Sequence, residues 1–162
     1  MKRPFLFVLL TLVGLHAPVH AQQPGKGAKT TLAWQGDWRW KDPHAPEASH
    51  YLRLKGSLAK PSGEYAGNET AEGIVYFKVA VTQLKITAKN EVSFMIGPHA
   101  LTRTPLTLSA KNLSADAPQA EGYSGVNFRF TGQLNGKVLT LNCKADDDMS
   151  CPAATMRFER MR

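Results

Sequence analysis

The sequence predicts an all-β fold: a single domain built as an antiparallel barrel or sandwich of about eight strands. Three observations lead there. Apolar residues recur with period two from residue 32 onward, as side chains alternate across a strand, and no convincing helix emerges. Polar turns bearing Gly, Pro or Asn separate these runs at short intervals, as in all-β folds. The composition, 43% hydrophobic and 20% charged, is that of a folded globular chain and excludes a mainly disordered one.

The first 21 of the 162 residues read as a secretory signal. Lys2 and Arg3 give a positive start. Phe5 to Leu15 is apolar but too short to span a bilayer, and Val19-His20-Ala21 sets small residues at the two positions that matter before a cut. Cleavage is expected before Gln22, which places the protein in the periplasm or outside the cell. No Cys follows the apolar stretch, so a lipoprotein anchor is not expected. No later segment approaches 18 consecutive apolar residues, so no membrane span is expected. Residues 22–29 form a flexible polar segment, and 30–162 make the single domain. The formal charge of +7 falls to +5 when Lys2 and Arg3 leave with the signal.

In the first strand Leu32, Trp34, Gly36, Trp38 and Trp40 share one face. Trp34 and Trp38 are expected in the core, and Trp40, beside the Pro-rich loop Lys41 to Ser49, is expected to be reachable. Tyr51 to Leu58 alternates again, with Leu52, Leu54 and Leu58 inward and Arg53 and Lys55 outward. Ala59 to Glu72 reads as a long polar connection. Ile74 to Ala88 is the longest β-like run, and its phase slips near Thr82-Gln83, which predicts a bulge or sharp bend. Asn90-Glu91 is expected to turn the chain into Val92, Phe94 and Ile96. Leu106, Leu108 and Ala110 suggest another short strand, and Leu113 to Gly125 a second long loop. Phe128 to Leu134 and Lys137 to Cys143 flank Asn135-Gly136, a strong hairpin signal. That turn pairs Leu134 with Lys137, Gly132 with Leu139, Phe130 with Leu141 and Phe128 with Cys143. A last strand carries Met156 and Phe158 inward.

Cys143 and Cys151 are the only cysteines, and in an oxidising compartment such a pair reads as a disulfide. Its short loop is expected to stabilise the fold by about 2–3 kcal/mol. Two thiols cannot complete a structural zinc site, and their spacing is not that of a C-x-x-C redox motif. His44, His50 and His99 show no metal-binding spacing, and His44 and His99 fall in loops; all three are expected to be exposed. No nucleophile motif appears, so no catalytic residue is assigned. Asp146-Asp147-Asp148 lacks the alternating ligands and glycine of a calcium loop and reads as a solvated turn, so no metal and no cofactor is expected. The basic residues, such as Arg53, Lys55, Lys78 and Lys85, stand singly, so nucleic acid is not an expected partner. Asn68-Glu69-Thr70 and Asn112-Leu113-Ser114 match the glycosylation triplet, which matters only in a eukaryotic secretory pathway.

Gly36-Asp37-Trp38 on the first strand and Arg157 and Arg160 on the last resemble the calycin pattern of lipocalins and their relatives. In that pattern an Arg of the last strand packs over the indole of the Gly-x-Trp; by parity with Phe158, Arg160 is the residue facing Trp38. The Thr-Asp-x-x-Tyr element of typical lipocalins is absent. The resemblance implies a closed barrel with a cavity, and no particular ligand. Ser62-Gly63-Glu64-Tyr65 looks like the Ser-Gly-x-x-Tyr segment of periplasmic C-type lysozyme inhibitors, where that segment reaches the target's active site.

These readings lead to an exported, non-catalytic binding protein whose partner is a small apolar ligand or an extracellular protein. The alternative is an inhibitor of an extracellular hydrolase such as lysozyme. The two long loops are expected to carry recognition, with Tyr65 and Tyr123 as contacts and Trp40 as the reachable tryptophan. The intact mass of the exported protein is expected to begin at Gln22 and to be two hydrogens lighter than the reduced chain. A mass that retains the first 21 residues overturns the cleavage site.

Overall fold

The structure is a computed structural model and describes residues 32–69, 74–106, 120–147 and 151–162. These belong to one compact unit, Thr31–Arg162. The main sheet contains β1 (Gly36–Lys41), β2 (Ser49–Gly56), β3 (Pro61–Glu69), β4 (Val75–Ala80), β5 (Thr82–Ile86), β6 (Glu91–Ile96), β9 (Phe128–Asn135), β10 (Val138–Ala145) and β11 (Thr155–Arg160). A small sheet pairs β7 (His99–Leu101) with β8 (Gly122–Ser124).

The order β4-β3-β2-β1-β11-β10-β9-β6-β5 is antiparallel throughout. Its two ends, β4 and β5, are consecutive in the chain and separated only by Val81, whose N–H donates to Gly63 O (3.0 Å). The sheet therefore curls into a nearly closed barrel in which β4 and β5 act as one bent stave. Counted so, eight staves run up and down around the axis, as the alternation predicts. The bend falls where the sequence slips phase: Gln83 has φ 51°, and the β5–β6 register shifts between Thr82 and Lys85.

Inward positions carry the bulk. Trp38, Leu52, Tyr65, Phe77, Phe94, Phe130, Leu141, Met156 and Phe158 are all buried in one core. Cys143 on β10 is joined to Cys151, just before β11, with Cα atoms 5.9 Å apart.

Several expectations are corrected. Ala59 to Glu72 is not one long connection, because β3 occupies nine residues of it. The strand is hard to see because two of its inward positions are glycines. Gly67 must be small, since a Cβ there would lie 2.9 Å from the Phe77 ring and 3.0 Å from His50 Nδ1. Leu58 lies beyond β2 and is exposed rather than inward. His99 is on a strand, and β8 lies inside the expected second loop. Glu91 already belongs to β6, and the turn before it is Thr87 to Asn90, closed by Asn90 N–H to Thr87 O (3.0 Å). Leu106 is outside any strand, while Leu108 and Ala110 lie outside the described residues.

The β9–β10 hairpin pairs Asn135 with Val138, Leu134 with Leu139, Gly132 with Leu141 and Phe130 with Cys143. The two-residue turn is thus Gly136-Lys137, with Gly136 at φ 61°, one step later than Asn135-Gly136. Each partner moves by two residues, which preserves the inward face, so the apolar pattern does not distinguish the two registers.

The barrel closes where the first strand meets the last. Trp38 pairs with Arg160, and the Arg160 guanidinium lies 5.5 Å from the centre of the Trp38 ring, as the parity argument expects. The same guanidinium donates to the carbonyls of Ala33 and Gln35. Gly36 lies beneath it at φ 132°, where a Cβ would come within 3.1 Å of Arg160 Nη2. Gly36→Ala is therefore expected to cost about 1–3 kcal/mol, from backbone strain and from displacement of the guanidinium. Denaturant midpoints check this, and in an Arg160→Ala background the same change is expected to cost less. An equal cost in both backgrounds removes the contact from the account.

Candidate functional site

Polar side chains inside an otherwise apolar barrel require explanation, because a buried polar group is costly unless it is hydrogen-bonded. Two histidines and a tyrosine gather at one place. His50 enters from β2, Tyr65 from β3 and His99 from β7, and all three line a small void with Phe77, Ile96, Phe128, Phe130 and Pro152. The void is about 10 Å³, the size of roughly one water. His50 Nδ1 and the Tyr65 hydroxyl are 2.9 Å apart and share a hydrogen bond. The Tyr65 hydroxyl also faces Met156 Sδ at 4.0 Å. His99 Nδ1 is 3.0 Å from Gly97 O, so the neutral ring donates through Nδ1. Both imidazoles pack on Phe77, at ring-centre distances of 5.7 Å for His50 and 4.7 Å for His99.

Burial sets their chemistry. Loss of water around the ring lowers the His50 pKa from 6.5 to about 3, against a smaller opposing pull from Asp42. Burial also lowers His99, partly offset by the Gly97 hydrogen bond. Both rings are therefore neutral near pH 7. The expectation that His50 and His99 are exposed is thus corrected; His44 is exposed, as expected.

The three predicted contact residues do not form one site. Trp40 is 5% exposed and belongs to the core, because β1 pairs with β2 along its whole length and holds Trp40 opposite His50. Tyr65 is 1% exposed at the centre of the barrel rather than in a loop. Its segment is also one residue shorter between Gly and Tyr than the Ser-Gly-x-x-Tyr pattern. Tyr123 alone is at the surface, 69% exposed on β8.

Asp146 accepts hydrogen bonds from Asn127 N (3.0 Å) and Nδ2 (2.6 Å), which lower its pKa. Both of its oxygens thus serve the turn, and Asp148 lies outside the described residues. Among the described residues no group of three His, Cys, Asp or Glu stands together to hold a metal ion. Asn68 of the first glycosylation triplet is buried, donating to Glu47 O (2.7 Å) and accepting from Ser49 N (2.9 Å).

Sequence reasoning missed one cluster. Arg39 and Lys41 on β1 line an outer groove of about 440 Å³ with Arg157, Glu159, Arg160 and Met161 from the C-terminal end. In sequence these cations look isolated, and only the β1–β11 pairing brings them together.

The chain matches no protein-family model, no curated protein and no solved structure.

The histidine end makes a pH prediction. The unfolded chain binds a proton at His50 near pH 6.5, which the folded chain refuses until about 3. Stability is therefore full above pH 6.5 and falls as the pH drops toward 3, by about 1.4 kcal/mol per pH unit at the steepest for one proton. His99 adds in the same direction. Urea unfolding at several pH values is expected to show a shallower decline in His50→Gln; an unchanged decline assigns the acid sensitivity elsewhere.

Proposed function

We propose that the protein is an exported, non-catalytic β-barrel, periplasmic or secreted, that binds a partner protein with its outer surface. The observation that carries this is the filled interior. Eight-stranded barrels either pack their side chains or hold one small ligand, and here the void beside His50 and Tyr65 is about 10 Å³. That space has room for about one water. The Cys143–Cys151 pair and the N-terminal signal pattern support an oxidising compartment. We read the stacking of Arg160 on Trp38, with Gly36 beneath the guanidinium, as a calycin-like closure whose interior is filled by aromatic side chains.

Inhibition of an extracellular hydrolase is one form that such binding takes. Tyr65 cannot be its contact residue while it lies in the core, and Tyr123 is the exposed aromatic of the small sheet.

Two measurements test the reading. Native mass spectrometry of protein purified from its own compartment is expected to show no added small mass; a ligand that leaves on denaturation overturns the filled-barrel argument. A photo-crosslinking residue at position 123 is expected to give a discrete protein adduct in that compartment, and one at position 85, on exposed Lys85 of β5, none. Equal labelling from both positions argues against recognition through Tyr123.

A further inference from the structure

We infer that the groove along the β1–β11 seam is a docking site for an acidic segment of a partner protein. This rests on the binding-protein reading above and names the chemistry of the partner.

Arg39 is paired with Glu159, and Lys41 and Arg157 line the same groove. Strand geometry puts Arg39 and Lys41 about 7 Å apart on one face and the opposing strand about 5 Å away. Like charges gathered along one groove repel one another. No carboxylate among the described residues forms an ion pair with Arg39, Lys41 or Arg157. The neighbouring cations are treated differently. Arg53 is bound to Asp37 at 2.6 Å, and Lys55 approaches Glu64 at 3.9 Å. Fold-internal pairing thus neutralises β2 and leaves the seam positive.

Arg39 is also held in place. Its guanidinium lies 5.4 Å from the centre of the Tyr51 ring, and Nη2 is 3.5 Å from Ser49 Oγ. Its Nε is buried with no hydrogen-bond partner among the described residues. A guanidinium held flat against a ring suits a carboxylate, a planar partner that it binds with two parallel hydrogen bonds.

The occupant follows from the charge pattern. In an extended peptide, side chains two residues apart on one face repeat at about 7 Å, the spacing of Arg39 and Lys41. Glu159 stands among the cations in the same groove. A uniform polyanion, such as a nucleic acid or polyphosphate, would meet it with repulsion. A predominantly acidic peptide carrying one cation would complement the whole groove. β1 and β11 are interior strands of the sheet, each with a neighbour on both sides, which favours recognition by side chains over strand addition.

The probe is the amidated peptide Glu-Ser-Glu-Ser-Lys-Ser-Glu-Ser-Glu, titrated into the nitrogen-15-labelled mature protein at low salt. The amides of residues 39–41 and 157–160 are expected to shift together. Arg157→Glu and Lys41→Glu are each expected to weaken binding about tenfold, from the exchange of attraction for repulsion. Lys85→Glu, with the same change in net charge, is expected to leave it unchanged. Lys41→Gln, at an exposed strand end, serves if a charge reversal fails to fold. No shift at the seam, or equal loss in Lys85→Glu, overturns the proposal. Tighter binding of polyphosphate or an oligonucleotide at the seam overturns the peptide assignment. A seam that fails while position 123 still gives its adduct leaves the binding-protein reading standing; loss of both removes the two together.

Discussion

Pairing of the first strand with the last is the contact on which this barrel depends. Most other stave junctions join strands that follow one another in the chain, and β6 meets β9 across the small sheet, whereas β1 and β11 lie at opposite ends of the domain. Closing so large a loop costs chain entropy before any contact rewards it. The sequence concentrates strong interactions at that junction. Trp38 is buried beneath Arg160, which also binds two carbonyls of the entering chain. Met161 N–H donates to Asp37 O at 2.8 Å and extends the seam past the last strand. A cation stacked on an indole contributes about 0.5–2 kcal/mol, more as it is desolvated. Here the stacking residue is half-buried, and both of its terminal nitrogens donate to carbonyls.

The interior is solved with aromatic bulk. Tyr65 touches Phe77, Phe94, Phe130 and Phe158 at ring-centre distances of 5.2–6.3 Å, and Phe94 stacks on Phe130 at 4.8 Å. Offset and tilted pairs at these distances add to the area that each ring buries. Gly63 and Gly67 on β3 are the counterpart of this bulk, since small residues on one stave make room for large ones from its neighbours. The same packing leaves a void of about 10 Å³ beside His50 and Tyr65, so the choice of side chains and not the strand number sets the room inside the barrel.

What was legible in the sequence follows from which signals are local. Strict alternation at Val92, Phe94 and Ile96 fixed a strand and its inward face, and the change of parity after Val81 located the bend that lets one stave serve both ends of the sheet. β3 is not legible because glycines carry no apolar signal, although it pairs with β2 over residues 61–67 and with β4 over residues 64–69. The hairpin was placed on the correct face with its turn one residue early, since the pattern repeats every two residues. Of the site, only the exposure of Tyr123 was legible. The burial of His50, Tyr65 and His99 together, and the convergence of Arg39, Lys41 and Arg157, are products of strand order, which no local pattern encodes.

The His50–Tyr65 pair bears on why a core this apolar keeps polar groups at all. Two hydrogen-bonded side chains contribute little net stability when buried, and apolar replacements of the same shape are often no worse. Their effect is on alternatives. β3 carries little register information, because Tyr65 is its one large apolar side chain. In the native register Leu52 lies opposite Tyr65 and His50 opposite Gly67, which brings the imidazole within 2.9 Å of the hydroxyl. A slip of one residue would carry Tyr65 outward and leave His50 buried without its partner, at the full cost of an unsatisfied polar group. The pair thus penalises misregistered barrels more than it stabilises the correct one, and it does so on the stave where the apolar pattern is weakest.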